Sequence, residues 1–126
     1  SHVDEVTHWP STAVLLASNQ FTHVQAAAVT HEAGTFWGLQ YHPEYDLHEM
    51  ARLMYCRREK LTELGFFRDV DQALAHIDLL ETLHDDPTRR DIAWALAIDD
   101  DILRPEIRQC EVGNWISQQV LPGMKR

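Results

Sequence analysis

The sequence has few cysteines, a shortage of basic residues and no long apolar run, and each shortage excludes a class of protein. Its 126 residues include two cysteines, Cys56 and Cys110, whose distant positions predict reduced thiols of the cytoplasm rather than a disulfide framework. Eleven basic residues stand against 20 acidic ones, and the net charge of −9 argues against nucleic acid and anionic membrane surfaces as partners. No apolar run approaches the roughly 20 residues that a membrane span requires.

The remaining composition is typical of a globular protein of mixed structure. Hydrophobic residues make up 44% of the sequence, and four Trp, four Phe and three Tyr are enough for a modest core. Short apolar segments fill the first part, whereas apolar residues recur at helical steps from residue 47 onward. We therefore expect an α/β fold with a β-rich first part, followed by an all-helical tail of about 60 residues.

Three short apolar segments predict β-strands, at residues 13–17, 24–30 and 36–41. The links between them are short enough for neighbouring antiparallel strands, so we expect a small meander. The second link, at residues 31–35, contains Gly34, which suits a turn position with positive φ.

The second part of the sequence predicts an amphipathic helix over residues 47–64 with signals at both ends. Asp46 and Glu49 form an Asp version of the capping box before the apolar stripe begins. Gly65 follows the last apolar residue, at the position where helices favour glycine.

The tail predicts three further helices, over residues 70–84, 87–98 and 105–120. Asp69 and Asp86 are the expected N-caps of the first two, and Pro87 is the expected first helical residue after Asp86. Residues 121–123 are expected to end the last helix. Three helices without a catalytic constellation favour packing or interaction, by capping the first part of the chain or by making a homodimer contact.

The histidines and acidic clusters do not predict a metal site. No pair among the five histidines of the first part has the i, i+4 helical spacing or the cysteine partner that zinc favours (His8, His23, His31, His42 and His48). The run Asp99-Asp100-Asp101 lacks the alternating acids, the Gly and the closing Glu of a calcium loop. It is more typical of an acidic turn at a helix end, and we expect neither a metal nor a cofactor.

The segment at residues 36–44 has the strongest functional signal, because an aromatic strand leads into His42-Pro43-Glu44. Pro43 biases His42 toward extended backbone and fixes its own φ. If the chain stays extended, Glu44 faces the same side as His42 and can reach its imidazole. A histidine oriented by a carboxylate is the general base of a nucleophilic triad. A solvated turn histidine followed by an acid in a first helical turn is the other interpretation.

Four motifs in order resemble the class I (triad) glutamine amidotransferases over roughly the first 47 residues. They are SHVDEV at 1–6, AVLLAS at 13–18 after a Trp9-Pro10 loop, VQAA at 24–27 and GLQYHPE at 38–44. The last resembles the family signature G-x-Q-[FY]-H-P-E. The tail resembles stand-alone bacterial amidotransferases of the GMP-synthase-like type.

The resemblance implies a fold and a set of site residues. It implies the C-terminal part of a flavodoxin-like amidotransferase domain at residues 1–65 and a helical extension at residues 66–126. His42 would be the catalytic base and Glu44 its orienting acid. His2, Val3 and Asp4 would line the glutamine pocket, with Asp4 suited to the α-ammonium group of the substrate.

The sequence departs from the family at the nucleophile. The family places a cysteine in a G-x-C-x-G elbow upstream of these motifs, whereas Cys56 and Cys110 lie in helical patterns without neighbouring glycines. We therefore expect the C-terminal part of a longer protein, inactive by itself, whose missing N-terminal half carries the cysteine. Such a protein would hydrolyse glutamine to glutamate and ammonia and pass the ammonia to a synthase domain or partner.

Two alternatives remain open at this point. A γ-glutamyl amide hydrolase of the same superfamily keeps the Cys-His-Glu chemistry but acts on γ-glutamyl amines. A non-catalytic interaction module would keep the motifs as a relic and use its helical tail for docking or oligomerisation.

Overall fold

The computed structural model describes residues 4–124 and contains a small antiparallel sheet and several helices. The strands are β1 (Ala13–Ala17), β2 (Ala26–His31) and β3 (Gly34–Leu39). The longer helices are α1 (Leu47–Glu63) and α2 (Val70–Asp85). The shorter ones are α3 (Arg90–Ala95), α4 (Asp100–Leu103), α5 (Pro105–Arg108), α6 (Cys110–Trp115), a π-helical segment (Ile116–Val120) and α7 (Leu121–Met124). Mixed α/β structure is confirmed.

The chain divides into two compact units. The sheet unit contains residues 4–42 and 111–124 of the described chain, and the helical unit is Pro43–Cys110. The chain passes from one unit to the other after His42 and after Cys110. The boundary expected from the sequence lies elsewhere, between residues 65 and 66. That boundary concerns an amidotransferase domain and its extension, and it stays a prediction. No helix in residues 4–124 combines the length and the apolar character needed to cross a membrane.

The predicted meander is confirmed, with strand order β1-β2-β3 and antiparallel pairing throughout. The predicted bounds of β1 are also right, whereas β2 begins two residues later and β3 lies two residues earlier than the sequence indicated. The reason is a tight hairpin in which His31 pairs with Gly34. Gly34 is therefore a strand residue, and Glu32 takes the positive φ of 50° that was expected of Gly34.

The sheet leaves large apolar side chains in contact with solvent. Val14 is 61% exposed and Phe36 is 69% exposed, and they lie on the two outer strands. Among the described residues of the sheet unit, the buried hydrophobic ones are Val24 and Ala26. Burial of apolar area is the main stabilising contribution in folding, so this unit has little of it within the described chain.

The helical unit has a continuous apolar core formed by α1, α2 and α3. Its buried members are Leu47, Ala51, Ile77, Leu80, Leu83, Ile92 and Ala93. The predicted capping box before α1 is confirmed, since Asp46 accepts from the Glu49 N–H and Glu49 accepts from the Asp46 N–H. Gly65 follows the helix with φ of 81°, as the C-terminal glycine signal predicts.

The start of the third helix was predicted wrongly. The α2 helix runs to Asp85, and Asp86 is its C-terminal cap rather than an N-cap. The Asp86 side chain accepts from the Thr88 N–H at 3.1 Å and from the Thr88 hydroxyl at 2.6 Å. This local turn takes the place of the first helical turn, so α3 begins at Arg90.

The last predicted helix is interrupted and also extends further than expected. Asp99 caps a four-residue helix, α4, that the sequence did not predict, and this confirms the Asp99-Asp100-Asp101 run as a helix-terminal turn. Pro105 begins α5, which ends at Arg108. Residues 121–123 were expected to end the helix but lie in α7.

Candidate functional site

His42 is exposed and lies just after β3, between the half-buried Tyr41 and the buried Pro43. The strand ends at Leu39 rather than at Tyr41 as predicted, and Gln40 and Tyr41 form a bend. The Gln40 N–H donates to the Gln25 carbonyl oxygen at 2.8 Å. This bond fixes the backbone where it leaves the sheet, two residues before His42.

Tyr41 connects the same segment to α6 within the sheet unit. Its hydroxyl donates to the Glu111 carboxylate at 2.9 Å. The two residues are 70 positions apart in the sequence, and no sequence motif indicates that they form a pair. A donor and an acceptor at such a separation leave no periodic signal in a single sequence. The sequence therefore did not predict this hydrogen bond beside His42.

Pro43 and Glu44 lie in a turn before α1, which differs from the extended backbone assumed from the sequence. Pro43 is buried, and its carbonyl oxygen accepts from the Arg108 Nε–H at 3.1 Å. Glu44 is exposed. The alternation of side chains along a strand therefore does not apply to His42 and Glu44, because Pro43 and Glu44 form a turn. The triad role of the two residues stays a prediction.

The Asp46 cap holds the beginning of α1 close behind this turn. Asp46 Oδ1 accepts from the Glu49 N–H at 2.9 Å, and the Asp46 N–H donates to Glu49 Oε2 at the same distance. The Glu49 backbone bond lowers the pKa of Asp46 from its ordinary value of 3.8, helped by the nearby His84 and opposed by desolvation. The carboxylate is therefore charged over the whole neutral range and stabilises the helix terminus.

The predicted substrate-pocket residues are only partly described. His2 and Val3 lie outside the described residues, and Asp4 is exposed at the start of a loop that continues to Pro10. Val6, Trp9 and Pro10 of this loop line a cavity of ≈ 230 Å³ together with strand residues that include Val29 and Phe36. The loop that carries the first motif thus lies against one face of the sheet. A substrate contact by Asp4 stays a prediction.

The two cysteines have the surroundings of helix surface residues. Cys56 is exposed on α1, and Cys110 is exposed at the start of α6. Neither lies in the strand-to-helix elbow that presents a nucleophile in the amidotransferase-like enzymes. The expectation that the nucleophile lies outside this chain stays a prediction.

A second cluster of titratable groups joins α1 and α2. His48 Nδ1 lies 2.7 Å from Glu81 Oε2, and the rings of His48 and His84 are 5.6 Å apart. The hydrogen bond to Glu81 and the charge of Glu81 raise the pKa of His48 above 6.5. No group of three or more His, Cys, Asp or Glu in residues 4–124 is arranged to hold a metal ion.

Comparison with known proteins gives one relative for nearly the whole chain. No protein-family model matches the chain, and no solved structure matches it. A γ-glutamyl-L-1-hydroxyisopropylamide hydrolase from Pseudomonas sp. is 30% identical over 128 aligned residues, which include 99% of this chain. The chain spans 42% of the length of that relative. The similarity therefore extends through the helical tail, and the chain is similar to part of an amide hydrolase.

Proposed function

We propose that this chain is the C-terminal part of an amide hydrolase of the class I amidotransferase type that cleaves γ-glutamyl amides. The observation that carries the proposal is the similarity to a γ-glutamyl amide hydrolase along 99% of the chain. The motif GLQYHPE at residues 38–44 supports the same chemistry. The three antiparallel strands are compatible with one part of the flavodoxin-like fold that the motifs imply.

The preferred substrate class is an N-substituted γ-glutamyl amide, because the printed name of the relative describes such a compound. Glutamine is the second candidate, since the motifs resemble those of the glutamine amidotransferases. The two substrates share the γ-carboxamide and the α-amino acid group and differ in the leaving amine. His2, Val3 and Asp4 are proposed to contact the shared glutamyl part, with the Asp4 carboxylate on its α-ammonium group.

In the proposed reaction a cysteine thiolate from outside residues 1–126 attacks the γ-carboxamide carbon. His42 holds the proton taken from the thiol and delivers it to the departing amine as the C–N bond breaks. The product of this step is a γ-glutamyl thioester. His42 then removes a proton from water, the hydroxide attacks the thioester carbon, and glutamate and the thiolate are released.

The role proposed for Glu44 is to fix the tautomer of His42 and to stabilise the imidazolium that forms in each half-reaction. Each of the two residues follows a position that is hydrogen-bonded within its own unit. The Tyr41–Glu111 bond lies in the sheet unit beside His42, and the Arg108–Pro43 bond lies in the helical unit beside Glu44.

The proposal is tested on the native gene product by measuring glutamate release from γ-glutamyl alkylamides and from glutamine. His42→Ala should lower the rate by about 10²–10⁴-fold, the usual contribution of a general base. His31→Ala is the matched control, because His31 is 90% exposed at the β2–β3 hairpin. Glu44→Gln should lower the rate while substrate binding is kept.

The assay distinguishes the catalytic role of His42, the preferred substrate and the non-catalytic alternative. Full activity in His42→Ala would refute the catalytic assignment. Faster release from γ-glutamyl alkylamides than from glutamine would support the preferred substrate, and the reverse would support a glutamine amidotransferase with an ammonia-accepting synthase as partner. Absence of any amide hydrolysis by the native product would favour the interaction module, in which the tail mediates docking or a homodimer.

A further inference from the structure

We propose that the cavity between β3 and α6 of the sheet unit binds a small organic ammonium ion. Its volume is ≈ 190 Å³, and it is lined by Trp37, Leu39, Glu111, Val112 and Trp115. Indole faces attract organic cations through the ring quadrupole, and a carboxylate adds an opposite charge and a hydrogen-bond acceptor. Two indoles and one carboxylate around one small space therefore favour an ammonium group over a neutral or anionic ligand.

The local structure explains why these side chains meet. Trp37 and Leu39 are two positions apart on β3, so their side chains point to the same face of the sheet. Glu111 and Trp115 are four positions apart on α6, so they lie on the same face of the helix. Trp115 is also the last residue before the π-helical segment Ile116–Val120, a distortion that occurs frequently at functional sites.

The position of the Glu111 carboxylate is fixed by the sheet. The Tyr41 hydroxyl donates to Glu111 Oε1 at 2.9 Å. An ionised carboxylate has about four acceptor positions on its two oxygens, and its charge attracts a cation whichever of them are occupied. A carboxylate held in place before binding loses less side-chain entropy when the cation arrives.

The size of the cavity limits the ligand. A volume of ≈ 190 Å³ is below the roughly 300–1,000 Å³ of pockets for drug-sized molecules, and it suits an alkylamine or a cation of the size of choline. The net charge of −9 also raises the local concentration of cations near the protein.

The site has one connection with the proposed reaction. The amine released from a γ-glutamyl amide is an ammonium ion at neutral pH and belongs to the same ligand class. That connection rests on the proposed function, whereas the binding itself rests on the geometry of residues 37–41 and 111–115 alone. The test therefore measures binding and not hydrolysis, so that failure of one proposal is distinguishable from failure of the other.

The experiment is an NMR titration of the native gene product with choline, followed at the indole N–H signals of Trp9, Trp37, Trp94 and Trp115, the four tryptophans of residues 1–126. Single Trp→Phe variants assign the signals. The signals of Trp37 and Trp115 should shift, and those of Trp9 and Trp94 should not. The neutral isostere 3,3-dimethyl-1-butanol should bind about threefold to thirtyfold more weakly, because it lacks the cation.

A variant pair separates the carboxylate charge from the general acidity of the protein. Glu111→Gln keeps the shape and an oxygen for Tyr41 but removes the charge opposite the cation, and it should weaken choline binding by about tenfold. Glu63→Gln removes the same charge at the exposed end of α1 and should leave binding unchanged. Equal affinity for choline and the alcohol, a dominant shift at Trp9 or Trp94, or no indole shift at all would overturn the proposal.

Discussion

Gly65 shows at the residue scale how one backbone angle determines which side chain is tolerated. Its φ of 81° lies in the left-handed region, which costs about 1–2 kcal/mol for residues with a Cβ. A Cβ at this position would meet no atom within 4 Å. The need for glycine is therefore conformational rather than steric.

Gly65→Ala should lower the free energy of unfolding by about 1–2 kcal/mol through this backbone cost. Gly113→Ala is the matched control, because Gly113 lies inside α6 and its Cβ would also meet nothing within 4 Å. That variant should instead be stabilising by about 0.5–1 kcal/mol. Urea denaturation monitored by circular dichroism gives both values, and equal effects of the two substitutions would contradict the argument.

At the scale of elements, the pKa values of two histidines, His48 on α1 and His76 on α2, are shifted in opposite directions. The bond to Glu81 raises the pKa of His48, with Asp46 adding to the effect and Arg52 opposing it. Burial lowers the pKa of His76, which packs 5.4 Å from the Phe67 ring. The two shifts therefore change the free energy of unfolding with opposite dependences on pH.

The His48 contribution to stability should be fully present below pH 6.5 and should be lost as the pH rises through its raised folded pKa. The His76 contribution should be present above pH 6.5 and lost as the pH falls through its lowered folded pKa. Urea midpoints between pH 5 and 8, measured for His48→Gln and His76→Gln against the parent chain, separate the two. Parallel pH profiles of both variants and the parent would show that neither histidine is linked to folding.

The elements also show why local signals predicted some features and not others. The capping box at Asp46 and the glycine at Gly65 act within a few residues, so the sequence contained them and α1 was predicted to within one residue. The helix expected over residues 105–120 depended on periodicity alone. In the structure Arg108, the last residue of α5, donates to the carbonyl oxygen of Pro43, 65 positions away, and a contact at that separation does not appear in a periodic pattern.

For the whole molecule, the two units differ in how much apolar surface they expose, and we expect the sheet unit to be the one that associates in solution. The helical unit buries a seven-residue cluster, whereas the outer strands of the sheet expose Val14 and Phe36. Exposed apolar strands at a sheet edge favour association between copies. We therefore expect the 126-residue chain to self-associate and to bind hydrophobic dyes through the sheet unit.

Phe36→Lys should reduce both dye binding and self-association, because it places a charge on an outer strand and removes exposed apolar area. Trp94→Lys makes the same kind of change on α3, where Trp94 is 80% exposed, and should have a smaller effect. Light scattering and dye fluorescence measure the two properties. A monodisperse parent chain with little dye binding would contradict the expectation.

The site was predictable only in part, because a sequence pattern shows contacts between neighbouring residues and not contacts between distant ones. The motif around His42 was visible because its members are neighbours in sequence, whereas the Tyr41–Glu111 bond joins residues 70 positions apart. The position of β3 was misjudged because pairing of His31 with Gly34 depends on a two-residue turn at Glu32 and Ala33. Gly34 was expected in that turn because glycine tolerates a positive φ. The register of the hairpin instead places Gly34 in β3 and the positive φ at Glu32.

The sheet unit is assembled from two segments that the whole helical unit separates along the chain. During synthesis the strands leave the ribosome before Pro43–Cys110, and Glu111, which meets Tyr41, follows that unit. Nascent chains fold as segments become available, and closing a long loop has an entropic cost. The helical unit can therefore acquire its core while the peptide is still being translated. The Tyr41–Glu111 bond can form only after Glu111 has been synthesised, so the surroundings of His42 are completed later than the core of the helical unit can form.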